Sequence, residues 1–376
     1  MTKATTLQKP RKLDPAMLIA LCVIAAVYLL AFVLEQTMPS TSMLFTVLKK
    51  GATYALVAVS MNLLNGFTGL FSLGQAGFML IGAYTYAIFT IPVAQRLSVY
   101  QYYNGGLVQF SLPVLVAIVL AGLFAAFFAF LIGLPVLRLK SDYLAIATLG
   151  FAEIIRAIFQ WDKIGVLTNG SNLLRLFPTF NDFNIRNAQG DVVLHLSTLV
   201  PFLITGVCVA FIVLLINSSF GRAFKAIRDD ETAAEAMGIN LARHKMLAFC
   251  ISSFFAGVGG AMLAMYANSV QAKSFTTAMT YEILLMVVIG GIGSVTGSVV
   301  SSFLFVACSE WWLRFLDQEQ TIGAWKVPLL RNGFRLVVFS IIIMMVVLFF
   351  RKGIMGTREL PDLFRRRRGK AGKGEP

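Results

Sequence analysis

Long apolar runs separated by shorter polar segments dominate this chain of 376 residues. Runs such as 200–216 stay apolar at consecutive positions, whereas the strands of a membrane β-barrel alternate in polarity over about 10 residues. A helix needs about 20 consecutive apolar residues to cross a bilayer core. The pattern therefore predicts an all-α polytopic membrane protein with about ten hydrophobic segments, at 15–34, 43–65, 76–94, 111–137, 143–160, 197–218, 246–268, 282–292, 296–312 and 333–350.

The eighth segment is too short to span a bilayer alone, and a glycine cluster, Gly290–Gly297, follows it. The cluster misses the G-x-G-x-x-G dinucleotide spacing and contains no lysine. Because glycines let helix backbones approach closely in lipid, we expect a broken or re-entrant segment and a tight helix crossing here. The sequence also lacks the G-x-x-x-x-G-K-[ST] phosphate loop, so we do not expect this chain to hydrolyse ATP by such a loop.

Composition agrees with a membrane protein, since 57% of the residues are apolar and 13% are charged. Soluble domains are about 45–50% apolar and about 25% charged. The formal net charge is +14, but the densest basic run, Arg365–Arg368, follows the last apolar segment. That position is typical of a cytoplasmic flank, so we expect no nucleic-acid binding. The four cysteines and two histidines show no metal-ligand spacing, and we expect no metal or cofactor.

The basic residues also predict the orientation in the membrane. With the N-terminus inside, about 20 of the 32 Lys and Arg fall on inside segments, and ten crossings return the C-terminus inside. Lys49 and Lys50 do not fit, because they lie near the outer end of the second segment; either they reach the interface or that segment begins at Gly51. The expected parts are a cytoplasmic N-tail at 1–14, a permease domain at 15–350 with an external loop at 161–196 and a cytoplasmic loop at 219–245, and a basic cytoplasmic C-tail at 351–376.

Polar residues and glycines interrupt the membrane pattern from residue 62 onward. Asn62, Asn65, Ser72 and Gln75 lie there among glycines. Irregular backbone at membrane depth is tolerated only against protein or a water-filled cavity. Broken helices often expose backbone groups along a substrate path. These four residues are therefore candidates to line such a path, and a cytoplasmic turn between two helices is the alternative.

The next polar interruption begins at Ser141 and Asp142, either of which suits the N-cap of the helix that follows. Thr148 and Glu153 come later in the same apolar segment. Ionisable groups within a span are functional candidates, so we add these two residues to the candidate path. Arg156 follows Glu153 by three positions, where helical neighbours pair, so a structural ion pair is the alternative.

The loop at 219–245 predicts a short basic helix, a turn at Asp229-Asp230, and a second short helix that ends at Gly238. Thr232 and Glu235 have the spacing of a capping box, and glycine suits the position after a helix. Small residues on such a helix favour docking into a groove of another protein; a solvated loop is the alternative. The candidate docking residues are Arg222, Asp230, Glu231, Ala233, Ala234, Glu235 and Gly238.

Several blocks of residues together resemble one protein family. They are Gly69–Phe78 with Ile81–Tyr84, Leu137–Tyr143 with Thr148–Phe151 and Glu153–Arg156, Phe220–Asn240, and Gly290–Gly297. With these blocks the chain resembles the M-type permease subunit of the branched-chain amino acid (Leu/Ile/Val) ABC importers over about residues 45–350. It departs from the family pattern after Gly170, where Ser171 stands in place of a further glycine.

The resemblance implies a multi-pass transport subunit of the bacterial cell inner membrane that is not an enzyme and has no catalytic residues. It implies a second homologous membrane permease subunit, two cytoplasmic ATP-binding subunits and a periplasmic amino acid-binding protein as partners, besides the lipid bilayer. The loop at 219–245 would then couple the permease to the ATPase. Glu235–Gly238 is a variant of the Glu-Ala-Ala…Gly pattern of importers. The expected cargo is branched-chain amino acids, moved by ATP hydrolysis on the partners.

Three alternatives stay open on the residues alone. The first is a permease of the same superfamily for urea, short amides or other amino acids. The second is a stand-alone secondary transporter or channel, which would need acid or histidine relays in several spans; only Glu153, Arg156 and Glu282 are candidates. The third is a membrane-embedded enzyme, which would need clustered His, Asp or Cys, and the sequence shows no such cluster.

Overall fold

The computed structural model describes residues 15–37, 42–139, 141–187, 192–314, 321–322, 325–326, 334–349, 353–356 and 358–359. Helices dominate these residues, as the apolar runs predict. They are α1 Pro15–Thr37, α2 Met43–Asn62, α3 Gln75–Thr90, α4 Arg96–Val99, α5 Val114–Val136, α6 Ser141–Gln160, α7 Gly165–Thr168, α8 Leu199–Asn217, α9 Ser219–Asp229, α10 Glu231–Ala236, α11 Leu241–Ala267, α12 Thr277–Gly290, α13 Val295–Ala307 and α14 Phe334–Phe349.

The all-α expectation needs one small correction, because two short antiparallel strand pairs lie between helices. Ile185–Arg186 (β1) pairs with Val192–Leu194 (β2), and Thr321–Ile322 (β3) pairs with Trp325–Lys326 (β4). Backbone N–H and C=O groups of loops need hydrogen-bond partners where they are shielded from water. These short strand pairs supply some of those partners. Runs this short leave no periodic signal in a sequence.

Within the described ranges, five helical stretches are long and apolar enough to cross a membrane. A sixth results if α3 and the stretch 93–99 count as one span, although the two are bent by 99° at the break between them. The prediction of a multi-pass helical membrane protein is thereby confirmed, whereas the count of ten segments and the inside position of both termini stay predictions. The five stretches are Met43–Phe67, Val114–Val136, Tyr143–Gln160, Leu199–Asn217 and Leu241–Ala267.

Helix α11 packs at the centre of the bundle against α2, α3 and α5. Its glycines bring backbones into direct contact. A Cβ atom on Gly82 of α3 would lie 2.0 Å from the carbonyl oxygen of Gly257, and one on Gly260 would lie 1.9 Å from the carbonyl oxygen of Met79. Small residues at such crossings allow the van der Waals packing that holds helices together in lipid. No side chain larger than hydrogen fits at these two crossings without moving a helix.

Two breaks interrupt the helices of the bundle. After α2, a π-helical turn at Leu63–Phe67 leads into irregular backbone over 68–74, which we call the first break. Between α12 and α13, residues 291–294 form the second break, where Gly291 and Gly293 have φ of +115° and +88°. A Cβ atom on Gly290 would lie 2.4 Å from the carbonyl oxygen of Gly297. The predicted helix break and tight crossing at the glycine cluster are therefore confirmed.

Lys49 and Lys50, which do not fit the predicted orientation, lie within α2 and have polar partners. The Lys49 Nζ donates to Ser197 Oγ at 2.6 Å, and Lys50 forms an ion pair with Glu310. Helix α2 itself begins at Met43, before both lysines, and the position of the membrane boundary along it stays a prediction. Paired lysines are tolerated within an apolar bundle because their charge is met by hydrogen-bonding partners.

A buried arginine joins the segment 95–110 to the helix before it. Arg96 is 1% exposed, and its guanidinium donates to the carbonyl oxygens of Ile88 at 2.9 Å, Phe110 at 2.8 Å, and Val108. The Tyr100 hydroxyl donates to the carbonyl oxygen of Leu167 at 3.0 Å and so ties this segment to the one that follows α6. Buried charges need such compensation, and here backbone oxygens provide it.

Candidate functional site

The two breaks meet at Asn62, the last residue of α2. Its side chain is fully buried. The Oδ1 atom accepts a hydrogen bond from Gly293 N at 2.8 Å, and Nδ2 donates to Ser294 O at 2.9 Å and to Ser298 Oγ at 2.8 Å. One side chain therefore joins the first break to the second. The sequence pointed to Asn62 but not to its partners, which lie more than 200 positions away.

Three more of the predicted path residues lie together at the first break, with Asn65 and Ser72 within it and Thr148 on α6 beside it. Asn65 Oδ1 accepts from Ser72 N at 3.2 Å, and Thr148 Oγ1 accepts from Leu73 N at 3.0 Å. Asn65 Nδ2 is buried and has no hydrogen-bond partner in the described part of the chain. A buried amide donor without a partner is costly. Asn65, Ser72 and Thr148 thus lie close together, and the Asn65 amide is the donor of this group that has no partner in the described part of the chain.

Gln75 lies at the start of α3, next to the same group. Its Nε2 donates to Ser60 Oγ at 3.0 Å and to Ser252 Oγ at 3.2 Å, so it links α3 to α2 and α11. Glu153 lies apart from the other candidates, on α6. Its Oε2 accepts from Arg156 Nε at 2.8 Å, and the two side chains are 33% and 31% exposed. The predicted pairing of these two residues is confirmed.

The predicted turn and two short helices in the loop at 219–245 are present as α9 and α10. Asp230 caps α10, and its Oδ1 accepts from Ala233 N at 3.0 Å. The expected capping box of Thr232 with Glu235 is wrong, because Thr232 already lies inside the helix. Aspartate is as good an N-cap as threonine, so the helix is capped two residues before the predicted cap.

Gly238 ends α10 in the predicted way. Its φ is +84°, its N–H donates to Glu235 O at 2.9 Å, and Ile239 N donates to Ala234 O at 3.1 Å. Glycine adopts this left-handed conformation without the steric cost that a Cβ imposes. A Cβ atom at this position would meet no other atom within 4 Å, so the requirement for glycine comes from the backbone alone.

Helix α10 protrudes from the bundle, and among its own residues only Ala234 is buried. Arg222, Asp230, Glu231, Ala233, Glu235 and Gly238 are all exposed. Lys245 Nζ donates to Glu231 Oε2 at 2.6 Å and so holds the start of α10 against α11. Met237, beside Gly238, is 83% exposed. We missed this residue from the sequence, although an apolar residue within a charged loop is the signal that could have found it.

Helix α9 connects this protruding loop to the first break. The Arg228 Nη1 donates to the carbonyl oxygen of Gly66 at 3.2 Å, and Lys225 Nζ lies 5.8 Å from the centre of the Phe67 ring. Gly69, with φ of +77°, leaves room for Arg228, because a Cβ atom there would lie 3.0 Å from Arg228 Cγ. The sequence predicts a basic helix here but not these contacts, because their partners become neighbours only in the fold.

The second break is covered by residues from the C-terminal end of the described chain. The Glu359 carboxylate accepts from Val295 N at 2.7 Å and from Thr296 N at 3.0 Å, and Ser294 Oγ donates to Arg358 O at 2.7 Å. A carboxylate at a helix N-terminus satisfies free N–H groups and complements the helix dipole. Residues 353–359 had been expected to belong to a tail, so this contact was not foreseen. The rest of that tail, and the N-tail at 1–14, lie outside the described residues.

The described residues contain no group of three or more His, Cys, Asp or Glu side chains that could hold a metal ion. The side chains of Ser141 and Asp142, predicted to cap α6, lie outside the description.

The match to a known protein family covers both breaks and the protruding loop. The family model described as "Branched-chain amino acid transport system / permease component" matches residues 43–354. The chain is 35% identical over 277 residues to the high-affinity branched-chain amino acid transport system permease protein LivM of Escherichia coli K12, which covers 68% of this chain and 60% of that protein. The chain thus spans about three fifths of the length of this relative.

Two further relatives are more distant. The chain is 23% identical over 337 residues to the E. coli K12 permease protein LivH, covering 87% of this chain and 98% of LivH. It is 25% identical over 276 residues to a probable branched-chain amino acid transport permease protein LivM of Methanocaldococcus jannaschii, covering 67% and 76%. No solved structure matches.

Proposed function

The chain belongs to the family of branched-chain amino acid transport system permease components, and from this membership we propose that it is a membrane-spanning permease subunit of an ABC importer. It forms part of the translocation path for branched-chain amino acids across the bacterial inner membrane. ATP hydrolysis on partner subunits drives the transport, because the sequence has no phosphate loop of its own. The E. coli relatives are branched-chain amino acid transport system permease proteins, which supports this cargo.

The proposed assembly pairs this chain with a second homologous permease subunit. Similarity to both LivM and LivH of one organism supports such a pair of like subunits. Two cytoplasmic ATP-binding subunits and a periplasmic amino acid-binding protein complete the importer. Both termini and the loop at 219–245 face the cytoplasm, in keeping with the basic residues there.

The observation that carries the proposal is the protruding loop and its contact with the first break. Helix α10 is exposed apart from Ala234, as a docking element requires, and α9 holds the Gly66 carbonyl through Arg228. A displacement of α10 by an ATP-binding subunit reaches the first break through α9. It reaches the second break through Asn62. The loop is thereby proposed as the coupling element. Six of the seven docking residues named from the sequence form its exposed surface, and Ala234 lies on its buried side.

The first break is proposed as part of the translocation path, lined by Asn62, Asn65, Ser72, Gln75 and Thr148. The unsatisfied Asn65 amide supports this, because a buried donor without a partner is expected to gain one when the break rearranges or a polar cargo passes. Glu153 is proposed to lie further along the same path.

Reconstitution tests the proposal. This chain is co-expressed with the second permease subunit and the ATP-binding subunits, purified through a tag on this chain, and placed in liposomes with the binding protein. We expect uptake of leucine, isoleucine and valine that requires ATP and every subunit. Preference for urea or a short amide would overturn the cargo. Uptake by this chain alone, driven by an ion gradient, would overturn the ABC assignment.

A further inference from the structure

A cavity of about 110 Å³ lies between α2, α12, the end of α13, the π-helical turn Cys308–Trp312 and α14, away from both breaks. Along α12, Glu282 is eight residues from Gly290, which places it about 12 Å from the second break at 1.5 Å per residue. Along α2, Lys50 is twelve residues from Asn62, or about 18 Å. The cavity therefore belongs to the half of the bundle opposite the protruding loop.

One wall of the cavity is charged. Lys50 pairs with Glu310, and their side chains are 23% and 29% exposed. Glu282 also lines the cavity, and its residue is exposed at the surface of this chain. Its carboxylate has no hydrogen bond or ion pair in the portion of the chain that the structure describes. Among the described residues, this wall carries one lysine and two glutamates, and Glu282 is the glutamate without an ion pair.

The other wall is apolar, with Met286, Phe305 and Phe339 among its residues. All three side chains are buried or nearly so: they are 1%, 7% and 9% exposed. Helix α12 is itself a short apolar helix. A carboxylate on such a helix is costly against lipid and is expected to face a cavity, a partner or a ligand. An unpaired acid, a lysine and an apolar surface share one small cavity.

We propose that this cavity binds the zwitterionic aliphatic amino acid that the importer carries, a proposal that rests on the function proposed above. The ammonium group of the ligand lies against Glu282 and Glu310, its carboxylate lies against Lys50, and its aliphatic side chain lies on the apolar wall. Urea and neutral amides carry no charge to pair with the free carboxylate. The cavity therefore selects amino acids over the uncharged cargoes of related permeases.

The first test is uptake by the complete importer in liposomes, with binding protein and leucine both saturating. We expect Glu282→Gln to lower the maximal rate of leucine uptake at least tenfold, while the ATP-binding subunits still co-purify. Tyr281→Phe, at the adjacent residue, which does not line the cavity, is the matched control and should leave uptake unchanged. Wild-type uptake rates in Glu282→Gln would overturn the proposal and leave the proposed function intact.

The second test does not depend on that variant folding. Ser309→Cys places a thiol in the cavity after the four native cysteines are replaced. Labelling with a small ammonium-bearing methanethiosulfonate should be slowed severalfold by leucine, and not by isocaproate or isoamylamine, which each lack one of the two charges. Labelling rates that leucine leaves unchanged in every nucleotide state would overturn the proposal. If the wild-type importer takes up no amino acid, the proposed function fails and this proposal fails with it.

Discussion

The guanidinium of Arg228 donates a hydrogen bond to the carbonyl oxygen of Gly66 at 3.2 Å, and this bond joins the protruding loop to the first break. The two residues are 162 positions apart in the chain. A carbonyl oxygen in the last turn of a helix has no N–H donor further along that helix, so it can accept a hydrogen bond from a charged side chain. The contact defines the route by which we propose that motion of α10 enters the membrane domain.

We expect Arg228→Ala to lower ATP-driven leucine uptake about fivefold, as the loss of roughly 1 kcal/mol of coupling implies. The ATP-binding subunits should still co-purify, because Arg228 is not at the tip of the loop. Arg243→Ala removes an exposed charge from the neighbouring helix and is the control. Equal uptake in the two variants would show that the bond carries no coupling.

Gly238→Val is expected to leave the protein inserted but uncoupled. A Cβ at φ of +84° costs roughly 1 kcal/mol or more, so the end of α10 should unwind and uptake should fall. Glu235→Ala should act in the same direction from the exposed face. Gly150→Ala is the control, since a Cβ there meets nothing within 4 Å. Normal uptake and normal retention of ATP-binding subunits in both loop variants would contradict the coupling role.

Met237 is expected to be the apolar anchor of the docking surface. An 83% exposed methionine at the tip of a charged loop suits insertion into a groove, where aromatic residues and methionine are enriched. Met237→Ser should reduce the amount of ATP-binding subunit that co-purifies, without changing the yield of this chain. Val193→Ser, at a residue 63% exposed in β2, should change neither. Undiminished co-purification of Met237→Ser would place the anchor elsewhere.

The Glu359 carboxylate is expected to stabilise the second break. Glu359→Ala removes the acceptor of two backbone N–H groups at the start of α13 and should cost about 1 kcal/mol. The midpoint of thermal unfolding in detergent should fall by a few degrees. Glu375→Ala, which removes a carboxylate near the end of the chain, should not change it. An unchanged midpoint in Glu359→Ala would mean that solvent replaces the cap without loss.

The orientation in the membrane is open to a direct measurement. Because about 20 of the 32 Lys and Arg fall on segments predicted to lie inside, both termini should face the cytoplasm and residue 180 should not. A reporter that is active only outside the cytoplasm should work when fused near residue 180 and fail when fused to the C-terminus. Activity at the C-terminus would rule out the ten-segment arrangement.

Local features of this fold could be predicted from the sequence, because local residues determine them. The apolar runs located the long helices, and the glycine cluster located the second break. Gly238 located the end of α10, whereas the Thr232–Glu235 spacing placed its cap two residues too late.

The remaining features depend on which elements become neighbours in space. The bonds of Asn62 to the second break, the contact of Gly82 with Gly257 and the cap by Glu359 each join distant segments. Periodicity reports on one helix at a time and cannot identify its partners. The cavity beside Lys50 is of the same kind, since its charged residues lie on three separate elements.

The buried Arg96 has a consequence for the conditions in which its segment stays attached. An ion pair between a carboxylate and a base dissolves once acid protonates the carboxylate. Arg96 instead holds the carbonyl oxygens of Ile88, Val108 and Phe110, and a guanidinium stays protonated throughout the range of pH at which bacteria live. Neither the guanidinium nor the carbonyl oxygens change protonation in this range, so acidification does not break the hydrogen bonds of Arg96.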